Sequence, residues 1–242
     1  MARILIIGES CRDIFVYCDA KRLAPDVPVP ILQTVSTTEN PGMAANVHRN
    51  ILSKITDCEL LTNLNWEDVT KTRYIHQESN HMFIRIDSPH EIKPLDMSKI
   101  NYNVDAIVIS DYNKGFISEE AIDDICSRHD MVFLDTKKIV KSWAQKATFI
   151  KINDFEFRNS EKYLNDILLS KIIRTRGSFG CDFRGINFPV ESIEVKDTSG
   201  AGDSFMAALV IEFLRTRDIN NAISIANESA SRVVKSRGVA II

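Results

Sequence analysis

Glycine is scarce in this 242-residue chain, at nine residues, where an average usage of about 7% would give roughly twice as many. Each glycine is therefore expected to have a local reason to be there. Cysteine occurs only as Cys11, Cys18, Cys58, Cys126 and Cys181. That odd number, without a CxxC or a Cys/His metal spacing, argues against a disulfide framework or a zinc site and for reduced thiols in a cytoplasmic protein. A basic excess is missing too. The 30 Lys and Arg against 33 Asp and Glu leave a net charge of −3, without the footprint expected for binding nucleic acid or an anionic membrane. No apolar run is long; residues 4–7 are too few for a signal-peptide core or a membrane span and read as a first strand. There is no internal repeat and no low-complexity segment. What is present is 44% hydrophobic residues, enough for one substantial core and a single domain over residues 1–242.

The chain is organised around Lys196-Asp197-Thr198-Ser199-Gly200-Ala201-Gly202-Asp203-Ser204-Phe205. Beyond it Phe205, Ala208, Leu209, Phe213 and Leu214 recur at helical spacing. Residues 200–203 therefore form a helix's first turn, where backbone N–H groups lack intrahelical partners. Free donors and the positive end of the macrodipole favour an anion there. The Asp203 carboxylate beside it can take a proton from a hydroxyl. Standing alone, the segment could equally be a glycine-containing helix cap with no chemistry. Asp-Thr-x-Gly-Ala-Gly-Asp, however, resembles the C-terminal signature of the PfkB/ribokinase family of sugar kinases at every fixed position. The resemblance implies an anion hole for the transferring phosphoryl group at Gly200, Ala201 and Gly202, and a catalytic base at Asp203. It also implies the ribokinase-like three-layer α/β fold, with a central, mostly parallel sheet and a small β lid.

The rest of the pattern agrees with an α/β chain. Residues 3–8 are continuously apolar, as in a central parallel strand covered on both faces. Strands are expected at 14–18 and 29–35, on either side of the proline-rich Ala24-Pro25-Asp26-Val27-Pro28-Val29-Pro30, and a hairpin at 72–76 and 82–87. Asn40-Pro41-Gly42 reads as a turn opening a helix. Between 54 and 72 the chain is compressed, with the short apolar run Leu60-Leu61. From Asn103 onward strands at 105–110, 131–134, 148–152 and 171–174 alternate with helical segments, one capped by Ser118. Helices at 201–215 and 219–235 close the chain. His48, His76, His81, His90 and His129 are assigned no chemistry.

The resemblance extends along this order. It implies that Asp13, Gly42 and Asn46 contact sugar hydroxyls, with Met43 standing where the family's Gly-Gly-x-x-x-Asn element has its second glycine. Lid strands would come from about 12–38 and 72–90. Asn153 and Glu156 fit the family's Asn-x-x-Glu motif for phosphate and Mg²⁺, the ion being held through water; by themselves they are equally a capping box. Thr175, Gly177 and Gly180 match its Thr-x-Gly-x-x-Gly nucleotide loop, and Asn227 falls where relatives line the adenine pocket. Asp197 and Ser199 resemble positions that hold K⁺ in some relatives. Within the family, residues 24–30, Lys71-Thr72-Arg73, Phe83-Ile84-Arg85-Ile86-Asp87 and Ser110-Asp111-Tyr112-Asn113-Lys114-Gly115 are similar to heptose 7-phosphate kinases. Asp135-Thr136-Lys137-Lys138 departs from that subfamily's Asp-Pro-Lys-Gly.

These likenesses imply an enzyme that uses ATP and Mg²⁺ to phosphorylate a hydroxyl of a sugar or sugar phosphate, with Arg85 and Lys114 on the substrate side. The anomeric oxygen of heptose 7-phosphate is one such hydroxyl. Arg12, Lys21, Arg22, Arg49 and Arg85 form a cationic set suited to a phosphorylated acceptor. A homodimer through the lid is expected. The competing readings are a kinase for another sugar or a nucleoside, and a non-catalytic sugar- or nucleotide-binding protein; retention of Asp203 argues against the latter.

Overall fold

The computed structural model describes residues 2–89, 91–191, 193, 195–236, 238 and 241, so that His90 lies outside the described residues. The elements follow in the order β1 (Ile4–Gly8), β2 (Ser10–Asp19), β3 (Gln33–Met43), α1 (Ala44–Leu52), β4 (Cys58–Leu61), β5 (Thr70–His76), β6 (Met82–Asp87), β7 (Ala106–Asp111) and α2 (Glu119–Arg128). They continue with β8 (Val132–Thr136), β9 (Phe149–Asn153), α3 (Asp154–Ser160), α4 (Asp166–Leu169), β10 (Ile172–Thr175), β11 (Cys181–Phe183), β12 (Ile186–Phe188), α5 (Ala201–Thr216) and α6 (Ile219–Val233).

The large sheet has eight strands in the order β12-β11-β10-β9-β8-β7-β1-β4. From β10 to β4 every pairing is parallel, while β11 and β12 add antiparallel strands at one edge. Its apolar strands are covered on both faces, as their continuous hydrophobicity requires. Alternation sorts the side chains into two layers. Leu5, Ile7, Ile107, Ile109, Val132 and Leu134 pack with Ile122 and Ile125 of α2. Ile4, Ile6, Ala106, Val108 and Phe133 pack on the other side, with α1, α5 and α6. Each such buried side chain contributes on the order of 1.5–3 kcal/mol relative to exposure. Because the central strands are parallel, Gly8, Asp111, Thr136, Asn153 and Thr175 all end at one edge of the sheet, where α/β proteins gather their ligands. No helix among the described residues is long and apolar enough to cross a membrane.

The second sheet has four strands in the order β3-β2-β5-β6. Its hairpin β5–β6 lies where the sequence places it, but the strand expected at 29–35 does not. Residues 25–30 stay in a loop closed by a bridge between Leu23 and Pro30. The strand starts at Gln33 and runs through Asn40-Pro41-Gly42 to Met43. These residues form no turn; they pair with Asp13, Arg12 and Cys11 of β2. Pro41 is tolerated because β3 is an edge strand, where a missing N–H costs no ladder bond. The run Leu60-Leu61 belongs to β4, which pairs with β1. Register places Asp13, Phe15 and Tyr17 beside Lys71, Arg73 and Ile75 on one face of the small sheet. Ile84 and Ile86 lie on the other face, half exposed.

Candidate active site

Helix α5 starts abruptly because Gly200, with φ 78°, turns the chain in left-handed geometry and supplies no side-chain cap. Ser204 N–H makes the first helical bond, to Gly200 O, and Ala201 N–H folds back to Thr198 O at 3.3 Å. The first-turn donors left to face beyond the helix end are therefore those of Gly202 and Asp203. Gly202 also admits a close neighbour: a Cβ there would lie 2.9 Å from Lys151 Nζ. Lys151 comes from the middle of β9, is buried, and pairs with Asp135 Oδ2 at 2.7 Å. The other oxygen of Asp135 is buried without a hydrogen-bond partner.

Asp203 is 6% exposed. Its Oδ2 accepts from Asn46 Nδ2 at 2.8 Å and its Oδ1 from the Tyr112 hydroxyl at 2.7 Å. Burial pushes its carboxyl above the ordinary range. The donors Asn46 and Tyr112 pull it back, Asp135 adds to the rise, and Lys151 opposes it. Asn46 reaches Asp203 because α1 follows β3 directly. Met43, the N-cap residue, holds φ 61° and ψ −132°, a region nearly reserved for glycine. Thus Met43 keeps the backbone shape that the absent glycine would adopt.

On the substrate side, Asp13 is gripped bidentately by Arg73 at 2.8 and 3.1 Å. Gly42 packs so closely that a Cβ would lie 2.7 Å from Cys11 Sγ. Lys71 and Lys137 stand over the Tyr112 ring, 5.0 and 5.6 Å from its centroid. Arg85 lies directly across from Arg73 in the β5–β6 ladder and pairs with Asp87 at 2.8 Å. Lys114 has an exposed side chain, and its backbone N–H donates to Glu9. Of the cationic set expected to bind an anion, Arg12 is engaged with Glu39, Lys21 with Asp19 and Arg49 with Asn40. The cations placed around Asp203 are instead Lys137 and Lys151, with Lys71 over the ring of its partner Tyr112.

On the opposite side of α5's first turn lies a cavity of about 460 Å³ lined by Thr175, Gly177, Gly180, Thr198, Phe205 and Asn227. Gly180 has φ 78°, and a Cβ there would fall 1.9 Å from Phe188 O, so only glycine fits. Asn227 turns its amide onto Phe188 O at 3.0 Å. Asn153 and Glu156 do form a capping box at the start of α3. The same Glu156 carboxylate also takes the Lys137 ammonium at 2.6 Å. Its four lone-pair sites then receive Asn153 N–H, Asn153 Nδ2 and Lys137 Nζ, which leaves room for a metal-bound water rather than direct ligation. Among the described residues no trio of His, Cys, Asp and Glu is grouped to hold a metal, so a divalent ion here would rely on phosphate oxygens. Asp197 spends its oxygens on Ser199 N–H at 2.8 Å and Gly238 N–H at 3.1 Å. The described histidines serve local structure; His129, for example, bridges Met131 O and Val104 O.

Tyr112, Lys71, Lys151, Asp135 and Arg73 are among the site residues to which the sequence alone assigns no role. Lys151 carried a readable signal, a lone charge in the apolar strand Phe149-Ile150-Lys151-Ile152, since a buried lysine demands a partner.

Comparison with known proteins bears on the family and the fold. Residues 67–242 match the family model described as pfkB family carbohydrate kinase. The whole chain aligns at 27% identity with the bifunctional protein HldE of Helicobacter pylori strain G27, and 98% of it at 25% identity with that of Vibrio vulnificus strain CMCP6. It spans 64% and 61% of the lengths of those relatives. A ribokinase from Thermotoga maritima superposes over 99% of this chain and 95% of its own, with a TM-score of 0.74 at 18% identity, a likeness of fold. With the family model covering most of its length and the fold agreeing, this chain belongs to the PfkB family of carbohydrate kinases.

Proposed function

We propose that the chain transfers the γ-phosphate of ATP to a hydroxyl of a phosphorylated sugar, with Asp203 as general base. The observation that carries the reading is the placement of Asp203. It is a buried carboxylate in the open first turn of α5, between the glycine-lined cavity and the face that holds Asn46, Asp13 and Arg73. The acceptor hydroxyl loses its proton to Asp203 as its oxygen bonds to the γ-phosphorus. The bond from that phosphorus to the bridging oxygen breaks, and ADP leaves. Gly202 and Asp203 N–H groups, with the Lys151 and Lys137 ammonium groups, meet the charge spreading over the phosphoryl oxygens. Mg²⁺, held near Glu156 through water, would neutralise phosphate charge when bound. Asp197 and Ser199 remain the proposed K⁺ position.

A phosphorylated acceptor, heptose 7-phosphate among the candidates, is supported by the cations facing the acceptor side, Lys71, Arg73 and Arg85, of which Lys71 has no carboxylate partner among the described residues. The small sheet would act as the lid, with its outer face pairing two copies, and the five free cysteines suit the cytoplasm. The reading is tested by ADP formation over a panel of sugars and sugar phosphates, with Asp203→Asn as control. Turnover limited to sugar phosphates and lost in Asp203→Asn is expected; turnover with none of them would overturn it.

A further inference from the structure

The kinase signature accounts for Asp203 and the anion hole, and leaves unexplained why a tyrosine is built so firmly against the base. We propose that Tyr112 is a positioning residue for phosphoryl transfer, its hydroxyl fixing Asp203 Oδ1 while its ring is contacted by Lys71 of the small sheet and by Lys137, just after β8 of the large one. The proposal rests on the reading of Asp203 as the base.

The backbone under Tyr112 is anchored. Glu9, fully buried, accepts Tyr112 N–H on Oε2 at 2.8 Å, and Lys114 N–H and Phe116 N–H on Oε1 at 2.9 and 3.3 Å. One carboxylate thereby fixes the loop that leaves β7. The ring is then gripped by the two ammonium groups, 5.0 and 5.6 Å from its centroid. Lys137 is itself tied to Glu156, so the ring joins the acceptor side to the phosphate side. The hydroxyl can only be a donor here. Burial and the Asp203 charge hold it protonated well above the usual tyrosine range.

A donor to the ionised form lowers a carboxyl's proton affinity, and Asp203 needs that help. Burial and Asp135 favour its protonated, useless form, and Asn46, Tyr112 and Lys151 act against them. The other groups that face it are Lys137 and the buried Cys11 thiol, which is itself pushed up to about 11 by burial. Tyr112 thus has a twofold effect: it keeps the base ionised, and it aims Oδ1. The Lys71 contact adds a condition, because both ammonium groups meet the ring only while the small sheet is seated over the site.

The test is Tyr112→Phe in the full chain, which keeps ring and lysine contacts and removes one hydroxyl. Steady-state rates are measured across pH with the best acceptor of the panel. The expected result is a fall in kcat of roughly tenfold near neutrality, with KM for ATP within about twofold. The acid limb of the kcat profile should move to higher pH by about one unit. Glu9→Gln, which loosens the loop without touching the hydroxyl, should move the limb the same way by less. A Tyr112→Phe limb coincident with the parent, while Asp203→Asn is inactive, overturns the positioning role and leaves Tyr112 as packing. Normal turnover by Asp203→Asn overturns the base assignment itself, a separate failure.

Discussion

At the scale of the residue, burial and charge compete at Asp203. Because its folded carboxyl is shifted upward from an ordinary 3.8, the inactive protonated base persists to higher pH. The acid limb of kcat should therefore lie above pH 3.8, and activity should be lost as pH falls through the shifted value. Asp203→Asn is expected to lower kcat by roughly 10²–10⁴-fold with nucleotide binding retained, read by steady-state rates and calorimetric titration. Its effect on stability has the opposite sense. A raised folded value means that the stability linked to this group is fully present below the unfolded value and lost as pH rises through the folded one, so Asp203→Asn should melt no lower than the parent at neutral pH. Lys151 is the contrasting case. Removing it as Lys151→Met strands the Asp135 charge in the interior, at a cost of about 3–5 kcal/mol. A Lys151→Met, Asp135→Asn double variant should recover most of that loss in denaturant unfolding. Met43 shows a third balance. Holding φ 61° and ψ −132° costs a non-glycine residue about 1–3 kcal/mol, and its nearly complete burial offsets a comparable amount.

At the scale of the element, the proposed nucleotide loop depends on one position. Gly180→Ala would drive a Cβ into Phe188 O at 1.9 Å, in a left-handed conformation that already disfavours alanine. It should weaken nucleotide binding at least tenfold, by displacing a contact worth about 1.4 kcal/mol or more; unchanged affinity by titration would contradict this. The elements readable in the sequence were those whose cause is local. β1, β7, β8 and β9 are continuous apolar runs, α2 has its Ser118 cap, and α5 has its glycine start and periodic apolar face. β3 was misplaced because its identity comes from β2, not from its own residues. Its exposed, polar Gln33-Thr34-Val35-Ser36-Thr37-Thr38 stretch has no apolar pattern to reveal it. The site divides in the same way. Gly200, Gly202 and Asp203 are adjacent in the chain and formed a readable motif. Tyr112 meets Asp203 across 91 residues and Arg73 meets Asp13 across 60, and neither pair announces itself before the chain is folded. For Asn153 and Glu156 the sequence allows a cap or a metal-organising pair; the cap is formed, and Lys137 on the same carboxylate links it to the proposed phosphate side.

At the scale of the whole molecule, the outer face of the small sheet leaves Val35, Ile84 and Ile86 about half exposed, at 50%, 51% and 52%. Val35 sits on one edge strand and Ile84 and Ile86 on the other, and exposed apolar side chains across a sheet face suit an interface. The chain is expected to scatter light as a dimer at micromolar concentration, and Ile84→Lys with Ile86→Lys as a monomer; a monomeric parent would remove the interface. The acceptor is tested at the same scale. kcat/KM should be higher for a sugar phosphate than for its unphosphorylated counterpart, since the Lys71 ammonium, with no carboxylate partner among the described residues, can meet a dianion that a free sugar lacks.

The turn between β5 and β6 reaches past its own sheet. Asn80, held at φ 59°, donates its amide to the backbone oxygen of Lys196, next to the segment that leads into Gly200. The small sheet and the approach to α5 are therefore joined at Lys196, beside Val195 and Thr198 of the cavity wall. On the proposed assignment of the two faces, occupancy by sugar and occupancy by nucleotide become thermodynamically linked quantities, and any favour that one ligand does the other must be returned in equal measure. Asn80→Ala should bring the affinity of each ligand, measured with and without its companion, closer to independence, turning a preferred order of arrival into a random one.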